Sequence, residues 1–289
     1  MLSPIESADH LKVEEWAGAS SLGLDYFSID PSWFSQIGQR GMSFMVRCRN
    51  ESSTIALALK SISRLKIPWE AVVVDNCSTD NSQEEAKASC PAENLRIFEY
   101  PLPLSRAGIE EYLTPPNSCH SLTWFNNWCM SKCRYSYIFR FDADFVASKY
   151  LLEELEALVL GAPVVAKVRA VYSDTMSVNN EPYIQHRAYS PFYYKYVWWE
   201  CLGTKLEATE KRLSGIVLHD SSLLKRKPYT DLPPWFDGKP GYEEMSAKYK
   251  EIKNAIKFTV ARASDPESDS AYFRFISLYD KRIERVPNL

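Results

Sequence analysis

The sequence predicts an α/β fold, a mostly parallel central sheet with helices on both faces, and three observations predict it. Short, continuously apolar segments alternate with helix-period segments from Ser43 to about Gly161. Strands that are apolar along their whole length are buried on both faces, as in parallel sheets covered by helices. The third observation is composition: 289 residues with 45% hydrophobic content are ample for a sizeable core.

The elements follow in order. SFMVRC reads as a buried strand, SSTIALALKSISRL as an amphipathic helix and AVVVD as a second buried strand. NSQEEAKASC reads as a helix, LRIFEY as a strand, SLTWFNNWCMSKC as a helix, YSYIFRF as a strand and SKYLLEELEALVL as a helix. Ligands of such sheets bind at the carboxyl ends of the strands, so the important loops are those after Cys48, Val74 and Phe141. The Pro-rich stretch PLPLSRAGIEEYLTPPNSCH joins a strand to a helix and has the length of a functional lid or a disordered connection. Beyond Gly161 the period fades. VVAKVRAVYS and PYIQHRAYSPFYYKYVWWE read as longer aromatic strands, SGIVLHD as a short one, and a helical tail starts near Tyr242.

One domain is expected in three stretches: an N-terminal strap over 1–42, a ligand-binding half over 43–160 and a second half with C-terminal helices over 161–289. The strap is inferred from isolated aromatics, Trp16, Tyr26, Phe27, Trp33 and Phe34, in a stretch without period.

Charge excludes some functions. The 34 Lys plus Arg against 37 Asp plus Glu give a net charge of -3, which provides no basic field for nucleic acid. No apolar run reaches the roughly 20 residues of a membrane span. The N-terminus has no charged start followed by an apolar stretch, so a cytoplasmic protein is expected, with peripheral membrane contact left open. Seven scattered cysteines, an odd number, predict free thiols rather than a disulfide framework. Cys129 and Cys133 are expected to pack as small apolar residues, since no second pair stands at zinc spacing.

The chemistry centres on Asp142-Ala143-Asp144, directly after the strand YSYIFRF. Hard carboxylate oxygens there suit Mg2+ or Mn2+, and such a cation bridges a diphosphate. A solvated turn or helix cap is the competing explanation. Asp75 ends the strand AVVVD, where a carboxylate facing the crevice can accept the imide N–H of uracil or the N–H edge of guanine. Asp80, in the loop after it, is placed to cap the next helix.

Together these residues resemble the family 2 glycosyltransferases of the GT-A fold. SFMVRCRNESSTIALALKSI is similar to that family's opening strand, loop and helix, VVVDNCSTDNS to its VDDGSTDNS-type loop, and FDADF to its metal-binding DxD. Asn127 precedes Asp142 by fifteen positions, as the family's arginine-asparagine pair does, although Asn126 stands where the arginine would be. The resemblance covers 43–160. It implies that Arg47, Asn50 and Glu51 line a nucleotide pocket together with Asn127, that Asp75 holds the base, that Asp142 contacts ribose or metal, and that Asp144 is the principal metal ligand. The donor implied is a nucleoside-diphosphate sugar and the acceptor a glycan or glycoconjugate. Solvated charges flanking a strand remain the alternative for Arg47 and Arg49.

In the second half, SPFYYKYVWWECLG followed by SGIVLHDSS is similar to the stretch where some members place an acidic residue and then a histidine. An inverting transfer needs one carboxylate to take the acceptor proton. Glu200, among Tyr196, Trp198 and Trp199, is the candidate, because apolar surroundings raise a carboxyl towards a useful base. Asp174, Asp231 and Asp237 are its rivals. His219 is a candidate for the metal shell, against the alternative of a histidine hydrogen-bonded in place. The aromatics from Tyr183 to Trp199 offer flat faces to sugar rings or simply pack between strands. Two other functions stay open: a sugar-nucleotide pyrophosphorylase, whose Gly-rich phosphate loop is lacking here, and a non-catalytic carbohydrate- or nucleotide-binding domain.

Overall fold

The computed structural model describes residues 22–105, 114–172, 183–189, 191–196, 199–203 and 209–219. Ten strands and five α-helices lie in this part of the chain. The first strands and helices alternate as expected: β1 (Gln39–Cys48), α2 (Ile55–Ile62), β2 (Trp69–Asp75), α3 (Ser82–Ser89) and β3 (Leu95–Glu99). A short α1 (Leu24–Phe27) precedes them. After them come α4 (Leu122–Ser131), β4 (Tyr135–Arg140), β5 (Phe145–Ala147), α5 (Lys149–Leu160) and β6 (Val165–Tyr172). The chain continues through β7 (Tyr183–His186), β8 (Phe192–Tyr196), β9 (Trp199–Gly203) and β10 (Glu210–His219).

Eight of these strands form one sheet in the order β3-β2-β1-β4-β7-β6-β10-β5, and β8 with β9 forms a separate hairpin. The expected α/β class is the observed one. The β3-β2-β1-β4 block is parallel throughout, whereas β7 runs antiparallel to both β4 and β6, and β5 antiparallel to β10. The second half is therefore mixed rather than a continuation of the parallel pattern.

Alternating residues of the central strands feed two separate cores. Met42, Phe44, Val46, Ala71 and Val73 face α2 and α5, packing on Ile55, Leu59, Leu151 and Leu155. Met45, Val72 and Val74 face the other way, onto Trp124, Trp128 and Met130 of α4 and onto Phe27, Trp33 and Phe34. Trp128 has no exposure, and an indole of that kind removes roughly 200 Å2 from water, worth on the order of 5 kcal/mol before entropy is counted. Tyr26 and Phe27 of the first stretch are thus pinned to the sheet through α4. Trp124 Nε1 donates to the Phe27 carbonyl at 3.0 Å and Trp128 Nε1 to the Tyr26 carbonyl at 2.9 Å. Ser121 caps α4 by accepting from the backbone N–H groups of Thr123 and Trp124.

The aromatic run that reads as one long strand is broken in the structure into β7, a 3-10 turn at Arg187–Tyr189, and the β8–β9 hairpin. A strand the sequence does not announce, β5, follows the paired aspartates and docks on β10 with His219 opposite Phe145. The middle of β10 is held close to α5: a Cβ on Gly215 would lie 2.5 Å from the Leu151 Cα, and Glu154 accepts the N–H groups of Ser214 and Gly215. The irregular register of β10 against β6, between Arg212 and Ile216, falls at this same place.

Cys48, Cys77, Cys90, Cys119, Cys129 and Cys133 are free thiols, and Cys129 on α4 and Cys133 just after it are buried in the core. Burial pushes the Cys48 and Cys90 thiols up to about 12, so neither is a nucleophile at neutral pH. No helix among the described residues is long and apolar enough to cross a membrane. The Tyr242 tail, Trp16, Trp198, Asp174, Asp231 and Asp237 lie outside the described residues.

Candidate active site

Three neighbouring parallel strands, β2, β1 and β4, end side by side, and their register decides which side chains meet. Cys48 pairs with Asp75 and Met45 with Arg140. Two residues further along each of β1 and β4, Arg47 lies opposite Asp142. Its guanidinium donates to Asp142 Oδ1 at 2.7 Å through Nη2 and to Asn126 Oδ1 at 3.3 Å through Nη1. Arg140 Nε stands 4.0 Å from the same Asp142 oxygen. Arg140 is a site residue that the sequence reading missed, although the period of two in FRFDADF places it on the same side as Asp142.

That period continues through the aspartates. Phe141, Ala143 and Phe145 are buried in the core, while Asp142 and Asp144 between them are both partly exposed. The alternation is the local cause of the site, because three apolar anchors force both carboxylates to the solvent side. The Phe145 N–H closes the turn on the Asp142 carbonyl at 2.9 Å. Through the β5–β10 pairing, His219 lies in register beside Phe145, so the backbone brings the third candidate ligand to the same edge. Among residues with described side chains, no three His, Cys, Asp or Glu groups come together as a metal set. The His219 imidazole is outside that description.

The first two loops are laced to each other. Asn50 N–H donates to Ser78 Oγ at 2.9 Å, Glu51 N–H to Ser82 Oγ at 2.7 Å and Ser52 N–H to Asp80 Oδ2 at 3.1 Å. Asn50 Oδ1 accepts the Thr79 N–H at 2.7 Å, and the Glu51 carboxylate accepts from Thr54 Oγ1 at 2.7 Å. Two residues here adopt left-handed backbone, Asn50 and Cys77, each at φ 56°. Asparagine tolerates that conformation, and in the VDDGSTDNS-type loop the residue in the place of Cys77 is glycine. Asp75 is buried at the strand end. It accepts from Ser78 Oγ and from Gln83 Nε2, the latter at 2.8 Å. A carboxylate has about four acceptor positions, so these two bonds leave capacity for about two more donors.

Asp80 holds the pair of loops by charge. Burial pushes its carboxyl up, but hydrogen bonds from Ser82 and Ser52 outweigh that and hold it at about 2, below its ordinary 3.8. A depressed folded-state value contributes stability that is full above the unfolded value and is lost as pH falls towards 2. Between pH 4 and 2 the denaturant midpoint of the parent is therefore expected to fall more steeply than that of Asp80→Asn. Parallel curves for the two proteins would remove Asp80 from this role.

Asn127, expected in the nucleotide pocket, has its described partner on the other side of α4. Its amide faces the β8–β9 hairpin, accepting the Tyr193 N–H at 2.7 Å and donating to the Tyr193 carbonyl at 2.8 Å. Its neighbour Asn126 is wholly buried, and Asn126 Nδ2 has no hydrogen-bond partner among the described residues. Glu200 lies on β9 in register with Lys195 of β8, in the hairpin that packs against α4.

Comparison with known proteins gives the first part of this geometry a family likeness. The family model described as Glycosyl transferase family 2 matches residues 43–107, the segment from β1 through β3 that contains Arg47, Asn50, Glu51 and Asp75. The paired aspartates, Asn127, Glu200 and His219 lie beyond it. No curated protein matches the chain. Among solved structures, TarS 1-349 of S. aureus, also solved in complex with UDP, is 18% identical over 51% of this chain and 47% of that one, with a TM-score of 0.37. Glucosyl-3-phosphoglycerate synthase from M. tuberculosis, in complex with Mn2+, UDP and phosphoglyceric acid, is 14% identical over 72% of this chain and 78% of that one, with a TM-score of 0.41. The chain spans about half the length of the structures it is first matched with, 47% and 59%. Scores this low leave the functional argument to the residues and to the family match.

Proposed function

We propose that this chain, whose residues 43–107 match the glycosyl transferase family 2 model, moves a sugar with inversion from a nucleoside-diphosphate sugar to a hydroxyl group. The donor is UDP-linked and the acceptor a growing glycan or surface polysaccharide. The observation that carries this reading is the register of β2, β1 and β4, which aligns Asp75, Arg47 and Asp142 along one sheet edge.

Asp75 accepts the uracil imide N–H with the capacity that Ser78 and Gln83 leave it. Asn50 and Glu51 form the floor of the pocket between the two laced loops. Arg47 and Arg140 bring two guanidiniums to the edge where the diphosphate lies, and the buried Asn126 Nδ2 offers it a further donor. In the acceptor half, Glu200 takes the proton from the acceptor hydroxyl as that oxygen forms its bond to the anomeric carbon. The bond to the diphosphate breaks on the opposite side, and the diphosphate leaves with the electron pair.

The donor set fits a divalent cation. Asp142 and Asp144 present hard oxygens on one face, and His219 stands in register beside them. Bound there, Mn2+ or Mg2+ supplies charge stabilisation for the departing diphosphate. The two carboxylates and two guanidiniums of Asp142, Asp144, Arg47 and Arg140 sum to zero, -2 and +2. A cation alone therefore meets little net attraction, whereas a cation together with a diphosphate meets both signs. Calorimetry is expected to show UDP binding in Mn2+ that weakens by about tenfold or more, ~1.4 kcal/mol, in chelator. Equal affinity in both conditions would remove the metal bridge, and a preference for GDP would change only the donor.

A further inference from the structure

We infer that Asn127 is a positioning residue, which fastens the hairpin carrying Glu200 to the donor-side helix and makes no contact with the nucleotide. The inference rests on the proposed function for what the two sides do. Its structural basis is the pair of bonds to Tyr193, at 2.7 and 2.8 Å, which engage the acceptor and the donor of one amide with both backbone groups of one residue. Asn127 and Tyr193 are both buried, so water does not compete for these bonds. The side-chain amide stands where a neighbouring strand would otherwise pair with β8.

The need for such a bond lies in the topology. β8 and β9 pair only with each other and have no strand of the eight-stranded sheet beside them among the described residues. A lone two-stranded hairpin is marginal in water, so its placement depends on what holds it from outside. Tyr193 pairs with Leu202, and one step of two residues further along the hairpin Lys195 pairs with Glu200. The fastening point is thus adjacent to the candidate base. On the helix, the residue before Asn127 is Asn126, which accepts from Arg47 at 3.3 Å. Two consecutive amides on α4 therefore reach in two directions, one to the charged cluster at the sheet edge and one to the hairpin.

The test compares the parent with Asn127→Leu, which has a similar volume and no polar atom, and with Asn127→Asp, which keeps the acceptor for the Tyr193 N–H and loses the donor. Three quantities are read: UDP affinity in Mn2+, amide exchange of residues 191–203, and UDP release from UDP-glucose. In Asn127→Leu, hairpin exchange is expected to rise by about tenfold to a hundredfold, as loss of two buried hydrogen bonds implies. UDP affinity and the KM for UDP-glucose stay within about threefold while kcat falls by about tenfold or more, and Asn127→Asp lies between. A collapse of UDP affinity, with hairpin exchange unchanged, would place Asn127 in the nucleotide pocket and overturn the inference. Unchanged exchange and unchanged turnover would overturn it as well. If the parent itself fails to bind UDP, the proposed function fails, and the exchange measurement still decides whether Asn127 holds the hairpin.

Discussion

Asp144→Asn is expected to abolish transfer while leaving the fold intact. The side chain projects to the solvent side of the strand end, between the buried Ala143 and Phe145, so the amide replaces the carboxylate without disturbing the apolar anchors. What changes is the affinity for a hard cation, because an amide offers one neutral oxygen where the carboxylate offers two charged ones. A cation that stabilises a departing diphosphate contributes several kcal/mol, and at about 1.4 kcal/mol per power of ten the loss is on the order of a thousandfold in turnover. Partly exposed substitutions of this kind shift stability by roughly 0.5 kcal/mol, so the melting temperature stays within about 2 °C of the parent. Turnover within a few-fold of the parent removes Asp144 from the metal site. Unfolding of the variant instead assigns the residue a structural part.

The parallel block of the fold was legible because its inner strands carry continuous apolar runs bounded by helix-period sequence, although β3, LRIFE at the sheet edge, is only half-buried. AVVVD reads as a strand buried on both faces, and Asp75 was legible because it is the one charge closing that apolar run, at a position that is itself buried. The paired aspartates were legible from FDADF, whose alternation survives unchanged in the structure. The second half was not, and the cause is local. Through FYYKYVWWECLG no Gly, Pro, Asn or Asp stands between Tyr196 and Trp199, so periodicity alone reads straight on from β8 into β9. The antiparallel insertion of β7 between β4 and β6 is equally silent, because strand order is decided by contacts far apart in sequence. Asn127 adds a contact of the same long-range kind. Spacing from the aspartates assigns it to the nucleotide pocket, while its partner in the structure is Tyr193, 66 positions away.

Glu200→Gln is expected to lower turnover strongly and to leave nucleotide and metal binding unchanged. The amide keeps the shape of the side chain and loses only the ability to take a proton, so the effect isolates the base from the pocket. Loss of a general base costs about a hundredfold to ten-thousandfold in rate. The hairpin that carries Glu200 shares no strand with the nucleotide edge, and its described link to the donor side runs through α4. A change confined to β9 therefore has no direct route to Asp75 or Arg47, and the UDP affinity measured in Mn2+ serves as an internal control. A fall in turnover of less than about tenfold moves the base elsewhere, to Asp174, Asp231 or Asp237, each testable by the same substitution to an amide. If nucleotide affinity collapses together with turnover, Glu200 belongs to the donor pocket, and the hairpin then closes over the nucleotide instead of presenting the acceptor.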